Sequence, residues 1–427
     1  MRVEERNMAR KFRTKEWAVM LFIANDNDLD TFTRKKLKEI GTVGSTTAAD
    51  VIIQFDTRGT SAIRRMRLSR GLRFPLRKLQ WETNTGDKRT LIRFIDLTLE
   101  DFHPKRAMFV MSNHGSGFAI ANDVTPGGTR THVRAPVFQV FDARERALIA
   151  PDTGRPVESS SDALDNLELK AALMSIVRKH GRLELIAFDA CLMNTFEVAY
   201  QVRHAARVMV GSQSNIPVPG CRFTATLELM RDEAVSTADV AKAVVNNVTP
   251  VEFDQFSAMA AVDLGKADDL AEAITVLADA LTKMLRNDPG AFSAISHAHL
   301  SALAFLDSET IDLFDFCQKL VEMVADEDVR EAATDVQAAV EQFVLHKNPC
   351  GAVVEGARGI SITLPRRSEI SDTYRQLDFA RETSWVGFLD TYLQQRFLPI
   401  PEEPAGIVIS PGAEAAPAFP QAPSSPM

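Results

Sequence analysis

The sequence predicts an α/β fold with a mostly parallel central sheet, and two observations carry that prediction. Short apolar runs that are continuous, not alternating, recur through the first half, which is the pattern of strands buried on both faces. Segments of helical length and period lie between them, as the crossovers of a parallel sheet require. A third observation places a site. Each run gives way at its C-terminal end to polar residues, and in open α/β sheets the ligand crevice lies outside the carboxyl ends of the strands.

The first strand is "WAVMLFIA" (17–24), ending on Asn25, Asp26, Asn27 and Asp28. "VIIQF" (51–55) follows and ends on Asp56, Thr57 and Arg58. "TLIRFIDLTLEDF" (90–102) reads as a helix and leads into the strand "AMFVM" (107–111), which ends on Ser112, Asn113 and His114. Segment 119–161 breaks the pattern: it is polar, rich in Gly, Pro and Ser, and dotted with Arg130, Arg134, Arg144, Arg146 and Arg155. Its length without periodicity marks a functional loop, with a hairpin around "PVFQVFD". The helix "LELKAALMSIVRKH" (167–180) then precedes the strand "LELIAF" (183–188), which ends on Asp189, Ala190 and Cys191. "RVMVG" (207–211) is the next strand, ending on Ser212, Gln213, Ser214 and Asn215. From about residue 223 the chain turns mainly helical, with a strand returning at "GISITLP" (359–365).

These elements divide the chain into a basic leader (1–16), a first domain (17–222), a mainly helical C-terminal region that completes the fold (223–397) and a tail (398–427). The tail from Pro399 holds eight prolines and no Lys or Arg, a composition expected to stay disordered. With 427 residues, the chain can bury a sizeable core. Apolar residues make up 45% and charged residues 25%, which is globular composition.

A formal charge of −8 gives no footprint for nucleic acid. The leader mixes Glu4, Glu5 and Glu16 among its Arg and Lys residues and reads as a solvated arm. "WAVMLFIA" after a basic leader imitates a signal peptide, but "NDNDLD" follows instead of a small-residue cleavage site. No run reaches the length of about 20 apolar residues that spans a bilayer. A cytoplasmic protein is the default expectation, with secretion by another route left open, and the oligomeric state is not readable. Cys191, Cys221, Cys317 and Cys350 lie far apart, without the spacing of a zinc site or a disulfide framework.

Cys191 follows a predicted strand and opens a predicted helix, "LMNTFEVAYQV". A thiol at a helix N-terminus feels the positive end of the dipole, which lowers its pKa. A lone cysteine is more often a buried structural residue. His114, however, sits at the equivalent end of another strand, followed by Gly115, Ser116 and Gly117. On neighbouring strands about 4.8 Å apart the two would face each other. That gives a nucleophile with its base, and the backbone N–H groups of Gly115 and Cys191 could form an oxyanion hole. Asp189 can cap the helix that follows.

"WAVMLFIANDNDLD", "FVMSNHGSGF", "LIAFDACLMNTFEVAY" and "VMVGSQSNIPVPG" together resemble the clostripain family of cysteine peptidases, which have the caspase-like fold. "FSAMAAVDLGKADDLAEA" (256–273), "IDLFDF" (311–316) and "GISITLP" resemble its C-terminal half. The resemblance spans about 15 to 395 and implies an α/β/α sandwich. It further implies an endopeptidase acting on protein or peptide substrates through a Cys191–His114 dyad and a thioester, and cleaving after a basic P1 residue. Asp189 would then lie at the base of the S1 pocket, with Asn25, Asp26 and Ser212 as further lining. A carboxylate there pairs bidentately with Arg and less well with Lys.

The loop 214–223 departs from the family. It reads "SNIPVPGCRF" where acidic residues are usual, which weakens strict Arg or Lys preference. Family members can need calcium, but "NDNDLD" lacks the Gly and distal Glu of an EF-hand and reads as pocket lining, so no metal ligand is assigned. Family members can also cut themselves between the His and the Cys, so the Arg-dotted segment 119–161 is expected to be processed after one of its Arg residues. The alternative is a catalytically silent caspase-like scaffold that binds partners, its Pro-rich tail an interaction segment. A nucleotide-binding protein is a distant third, since the strand–helix junctions hold neither GxGxxG nor a P-loop.

Overall fold

Strand β1 (Trp17–Asn25) forms because every one of its apolar side chains finds a core. Ala18, Met20, Phe22 and Ala24 join one apolar cluster, and Trp17, Val19, Leu21 and Ile23 join another. Successive side chains of a strand point to opposite faces, so a strand that is apolar throughout must be covered on both. The computed structural model describes residues 13–25, 29–57, 64–78, 85–115, 164–248, 256–305, 309–366 and 370–395, with the backbone of the short strands Phe138–Gln139, Leu148–Ile149 and Pro156–Val157. The expected hairpin around "PVFQVFD" otherwise lies outside the described residues, as do the leader up to residue 12 and the tail from 396.

The main sheet has nine strands, numbered here along the chain: β1, β2 (Ala49–Thr57), β3 (Arg64–Ser69), β4 (Leu72–Lys78), β5 (Arg106–Ser112), β6 (Leu183–Asp189), β7 (Ala206–Ser212), β8 (Ser257–Asp263) and β9 (Val344–Cys350). Their spatial order is β9-β8-β7-β6-β5-β1-β2-β3-β4. The five central strands, β7 to β2 in that order, are parallel. The pairs outside them are antiparallel. The parallel centre is the set of runs expected from the sequence.

Helices α1 (Asp30–Val43), α5 (Thr224–Leu229) and α6 (Thr237–Asn246) cover one face. Helices α2 (Lys88–Phe102), α3 (Asn166–His180) and α4 (Phe196–Val202) cover the other. The result is the α/β/α sandwich of a caspase-like fold. Five further helices extend the second layer: α7 (Ala267–Asn287), α8 (Ala291–Ser301), α9 (Leu313–Met323), α10 (Glu327–Phe343) and α12 (Trp385–Gln395). With the short α11 (Asp378–Glu382) they bury their apolar stripes in the same cluster as α2 to α4. The C-terminal half thus shares the first half's core and also supplies β8 and β9.

Phe196, at the start of α4, is fully buried and meets Phe343 and Phe379 edge-on, with centroids 5.7 and 5.2 Å away. Edge-to-face contacts add to the area they bury. Because these rings join the two halves, Phe196→Ala is expected to destabilise the fold by about 3–5 kcal/mol, read as a lower urea midpoint at unchanged m-value. No helix among the described residues is long and apolar enough to cross a membrane.

Candidate active site

Parallel strands β5 and β6 are neighbours, with Ser112 opposite Asp189 in the register. The chain therefore leaves both strands at the same rim of the sheet, and the two segments that follow carry His114 and Cys191. Both side chains line one cleft of about 410 Å³, with Asn25, Thr33, Lys36, Asn113, Gly115, Asp189 and the 215–220 loop around them. His114–Gly115 pairs antiparallel with Phe138–Gln139. The His114 N–H donates to Asn113 Oδ1 (2.6 Å), while Asn113 Nδ2 donates to the Ala24 carbonyl of β1 (2.6 Å), fixing this segment to the sheet.

The turn after β6 differs from the sequence expectation. Helix α4 does not begin at Cys191; it begins at Phe196, where the Thr195 hydroxyl accepts from the Val198 N–H. Cys191 lies in a turn in which Leu192 adopts a left-handed conformation, φ 61°. That conformation is uncommon for a residue with a side chain, and its neighbours hold it in place. The Leu192 N–H donates to the Ser214 carbonyl (3.0 Å) and the Asn194 N–H to the Ser212 carbonyl (2.9 Å). Leu192 itself is buried with Ala258, Phe305, Val354 and Ala357. From the C-terminal half, Ser361 N–H donates to the Asn194 carbonyl (3.1 Å), and Gln213 is bonded to Asp312 (3.0 Å) and to the Gly359 N–H (2.8 Å).

Cys191 therefore does not sit at the N-terminus of α4, and no helix dipole lowers its pKa. The Cys191 pKa is raised instead: burial is the largest cause, the backbone N–H of Ile216 donating to Sγ (3.3 Å) opposes it, and the nearby Asp189 charge adds to it. At rest Cys191 is a thiol. The folded state holds this proton more tightly than the unfolded chain does, so the group's contribution to stability is full below the unfolded thiol pKa and fades as pH rises through the folded one. Alkylation of Cys191 by iodoacetamide, followed by peptide mapping, is expected to accelerate only above the ordinary thiol range of about 8.5. In urea at pH 8 the same cysteine should react faster than in the folded protein.

Asp189 is buried, and both of its oxygens accept hydrogen bonds. Oδ1 accepts from the Cys221 N–H (2.7 Å), and Oδ2 accepts from the Ser112 hydroxyl (2.8 Å) and from the Lys36 ammonium, with which it forms a salt bridge. Lys36 was not foreseen. It lies on the buried stripe of α1 with Thr33, Leu37, Ile40 and Val43, and a cation on an apolar stripe of a helix was the signal that could have revealed it.

Of the other expected S1 residues, Asn25 lines the cleft and its Nδ2 donates to Thr33 Oγ1 (2.7 Å). Asp26 lies outside the described residues. Ser212 is not part of the lining: it is buried at the end of β7, where its hydroxyl accepts from the Ser214 N–H (3.2 Å) and props the loop that carries Ile216. Gly115 packs against the Cys191 turn, where an added Cβ would run into the Cys191 carbonyl oxygen and come within 2.9 Å of Ala190 Cβ. Among the described residues, no group of three or more His, Cys, Asp or Glu side chains could hold a metal ion.

A family model described as the clostripain family matches residues 21–135 and 155–392. Clostripain of Hathewaya histolytica is 22% identical over 358 residues, covering 73% of this chain; the chain spans 64% of that curated relative's length. Two solved structures share the fold. An inactive zymogen C11 protease from Parabacteroides distasonis gives a TM-score of 0.62 at 17% identity, covering 87% of this chain and 98% of its own. A secreted C11 cysteine protease from Bacteroides thetaiotaomicron, in complex with an irreversible peptide inhibitor, gives 0.61 at 19% identity, covering 88% and 99%.

Proposed function

This chain belongs to the clostripain family, and from that premise we propose that it is a cysteine endopeptidase with Cys191 as nucleophile and His114 as general base. The observation that carries this reading is a single cleft, at the carboxyl ends of two adjacent parallel strands, lined by both side chains. Because burial keeps the thiol protonated, attack and proton transfer go together. The Cys191 sulfur bonds to the scissile carbonyl carbon as His114 takes the thiol proton. The carbonyl electron pair moves to oxygen, where the N–H groups of Gly115 and Cys191 face the developing charge. The C–N bond then breaks, the His114 proton passes to the leaving amine, and a thioester remains. Water, deprotonated by His114, hydrolyses that thioester and restores the thiol.

Segment 119–161, between His114 and Cys191, is proposed to be cut by the enzyme itself. That segment lies largely outside the described residues, and the solved relative named an inactive zymogen supports the idea by analogy. Incubating wild type beside Cys191→Ala and mapping the fragments tests it; identical fragmentation in both would remove it.

A biotinylated, thiol-reactive peptidyl probe tests the central reading. Labelling of Cys191 that disappears in Cys191→Ala supports catalysis. A failure to label with any P1 residue, with or without calcium, would leave the scaffold reading instead.

A further inference from the structure

We propose that Lys36 is a specificity-determining residue: paired with Asp189, it turns the S1 floor into a neutral donor–acceptor pair that selects Gln or Asn at P1 over Arg or Lys. This rests on the peptidase reading and departs from the basic P1 that the family resemblance implies.

Both partners are buried, with side-chain exposures of 8% for Lys36 and 2% for Asp189. The pair is also built in. Gly220, at φ 80°, leaves it room: a Cβ there would run into Asp189 Oδ1 and come within 3.0 Å of Lys36 Nζ. An arginine at P1 docks on a carboxylate through two parallel N–H···O bonds and needs both oxygens. Here Oδ1 already serves the Cys221 N–H, and Oδ2 serves Ser112 and Lys36. Any P1 cation also enters beside an ammonium, and like charges sharing a desolvated slot disfavour each other. A P1 carboxylate meets the same objection from Asp189.

A neutral amide meets neither. An ammonium has three donors, and among the described residues Asp189 is the single partner of Lys36 Nζ, so two N–H groups remain for a P1 carbonyl oxygen. A carboxylate has about four acceptor sites, of which three are in use here, so one remains for the P1 NH₂. The apolar stem of a Gln or Asn side chain would run past Ile216 and Val218, which also line the cleft.

The test is a set of peptide substrates identical except at P1, carrying Gln, Asn, Arg, Lys or Asp. Wild type is expected to favour Gln or Asn over Arg by at least about tenfold in kcat/KM, because a site whose buried polar groups stay paired discriminates against one that strips them. Lys36→Met, which keeps the stem and removes the charge, is expected to shift the Arg-to-Gln ratio toward Arg by at least about tenfold. Since that variant leaves Asp189 buried without its cation, the double variant Lys36→Met/Asp189→Asn provides a folded control that should gain no Arg preference.

The same ratios are read without catalysis by calorimetric binding of uncleaved peptides to Cys191→Ala. A wild-type preference for Arg or Lys, or an unchanged ratio in Lys36→Met, overturns the proposal. If the binding ratios follow the prediction while the thiol-reactive probe never labels Cys191, the pocket assignment stands and the peptidase reading falls.

Discussion

Replacing His114 by Ala is expected to lower kcat/KM by about 10⁴-fold, the upper end of what a positioned general base supplies. The physical reason lies in the resting state of Cys191. Burial lifts the Cys191 pKa, the Asp189 charge lifts it further, and the Ile216 N–H offsets only part of this. At neutral pH the thiolate fraction is small, and attack depends on a base that removes the proton as the C–S bond forms. With His114 gone, the residual rate should rise with pH well above neutrality, as the thiol ionises unaided. The wild-type rate should reach its plateau at lower pH. A preformed thiolate would predict otherwise: the His114→Ala rate would be flat with pH across the alkaline range. Cys191→Ala removes the thioester altogether and is expected to cost at least as much as His114→Ala. The two losses should not add in the double variant, since the residues act as one unit.

The parts of the fold that could be read from sequence share one property, burial on both faces. β1, β2, β5, β6 and β7 are continuous apolar runs because no side of the parallel centre touches water. The strands that were not read lie at the flanks, where that signal lapses. β3 and β4 alternate arginines with apolar residues and turn at Arg70–Gly71, with Gly71 at φ 68°. β8 is alanine-rich, and alanine favours helix over strand. β9 reads "VLHKNPC", polar and with Pro349, which is tolerable at a sheet edge and misleading anywhere else.

At the site, topology could be read and local chemistry could not. The equivalent strand ends of Asn113–His114 and Ala190–Cys191 were enough to bring the imidazole and thiol to one rim. The start of α4 was misplaced because the apolar residues from Leu192 onward fit a helical stripe. Asn194–Thr195, a capping pair just before Phe196, was the better boundary signal. Lys36 escaped because an ion pair between residues 153 positions apart leaves no local pattern; only its place on the buried stripe of α1 hints at it.

Gly115→Ala is expected to lower kcat by about 10²-fold or more with a smaller effect on substrate binding, because it moves the Cys191 turn instead of removing a contact. Two segments meet here with no spare volume. A Cβ on Gly115 would run into the Cys191 carbonyl oxygen and crowd Ala190 Cβ at 2.9 Å and Met193 Cγ at 3.1 Å. None of these can yield cheaply. Ala190 and Met193 are buried at 2% and 0% exposure, and the Cys191 carbonyl belongs to a turn pinned through Leu192 and Asn194 to the carbonyls of Ser214 and Ser212. The added methyl must push the His114 segment and the Cys191 turn apart. A displacement near 1 Å between reacting groups costs about a hundredfold in rate, and the proposed oxyanion donors, the N–H groups of these same two residues, would separate by the same movement. Single-turnover kinetics on a substrate with the preferred P1 residue would read this as a slowed acylation step at near-normal KM. The alkylation rate of Cys191 at high pH should change little, since iodoacetamide needs the thiolate and not the alignment. Equal losses in acylation and in alkylation would mean that the methyl had merely disordered the turn, and that Gly115 has no part in aligning the two groups.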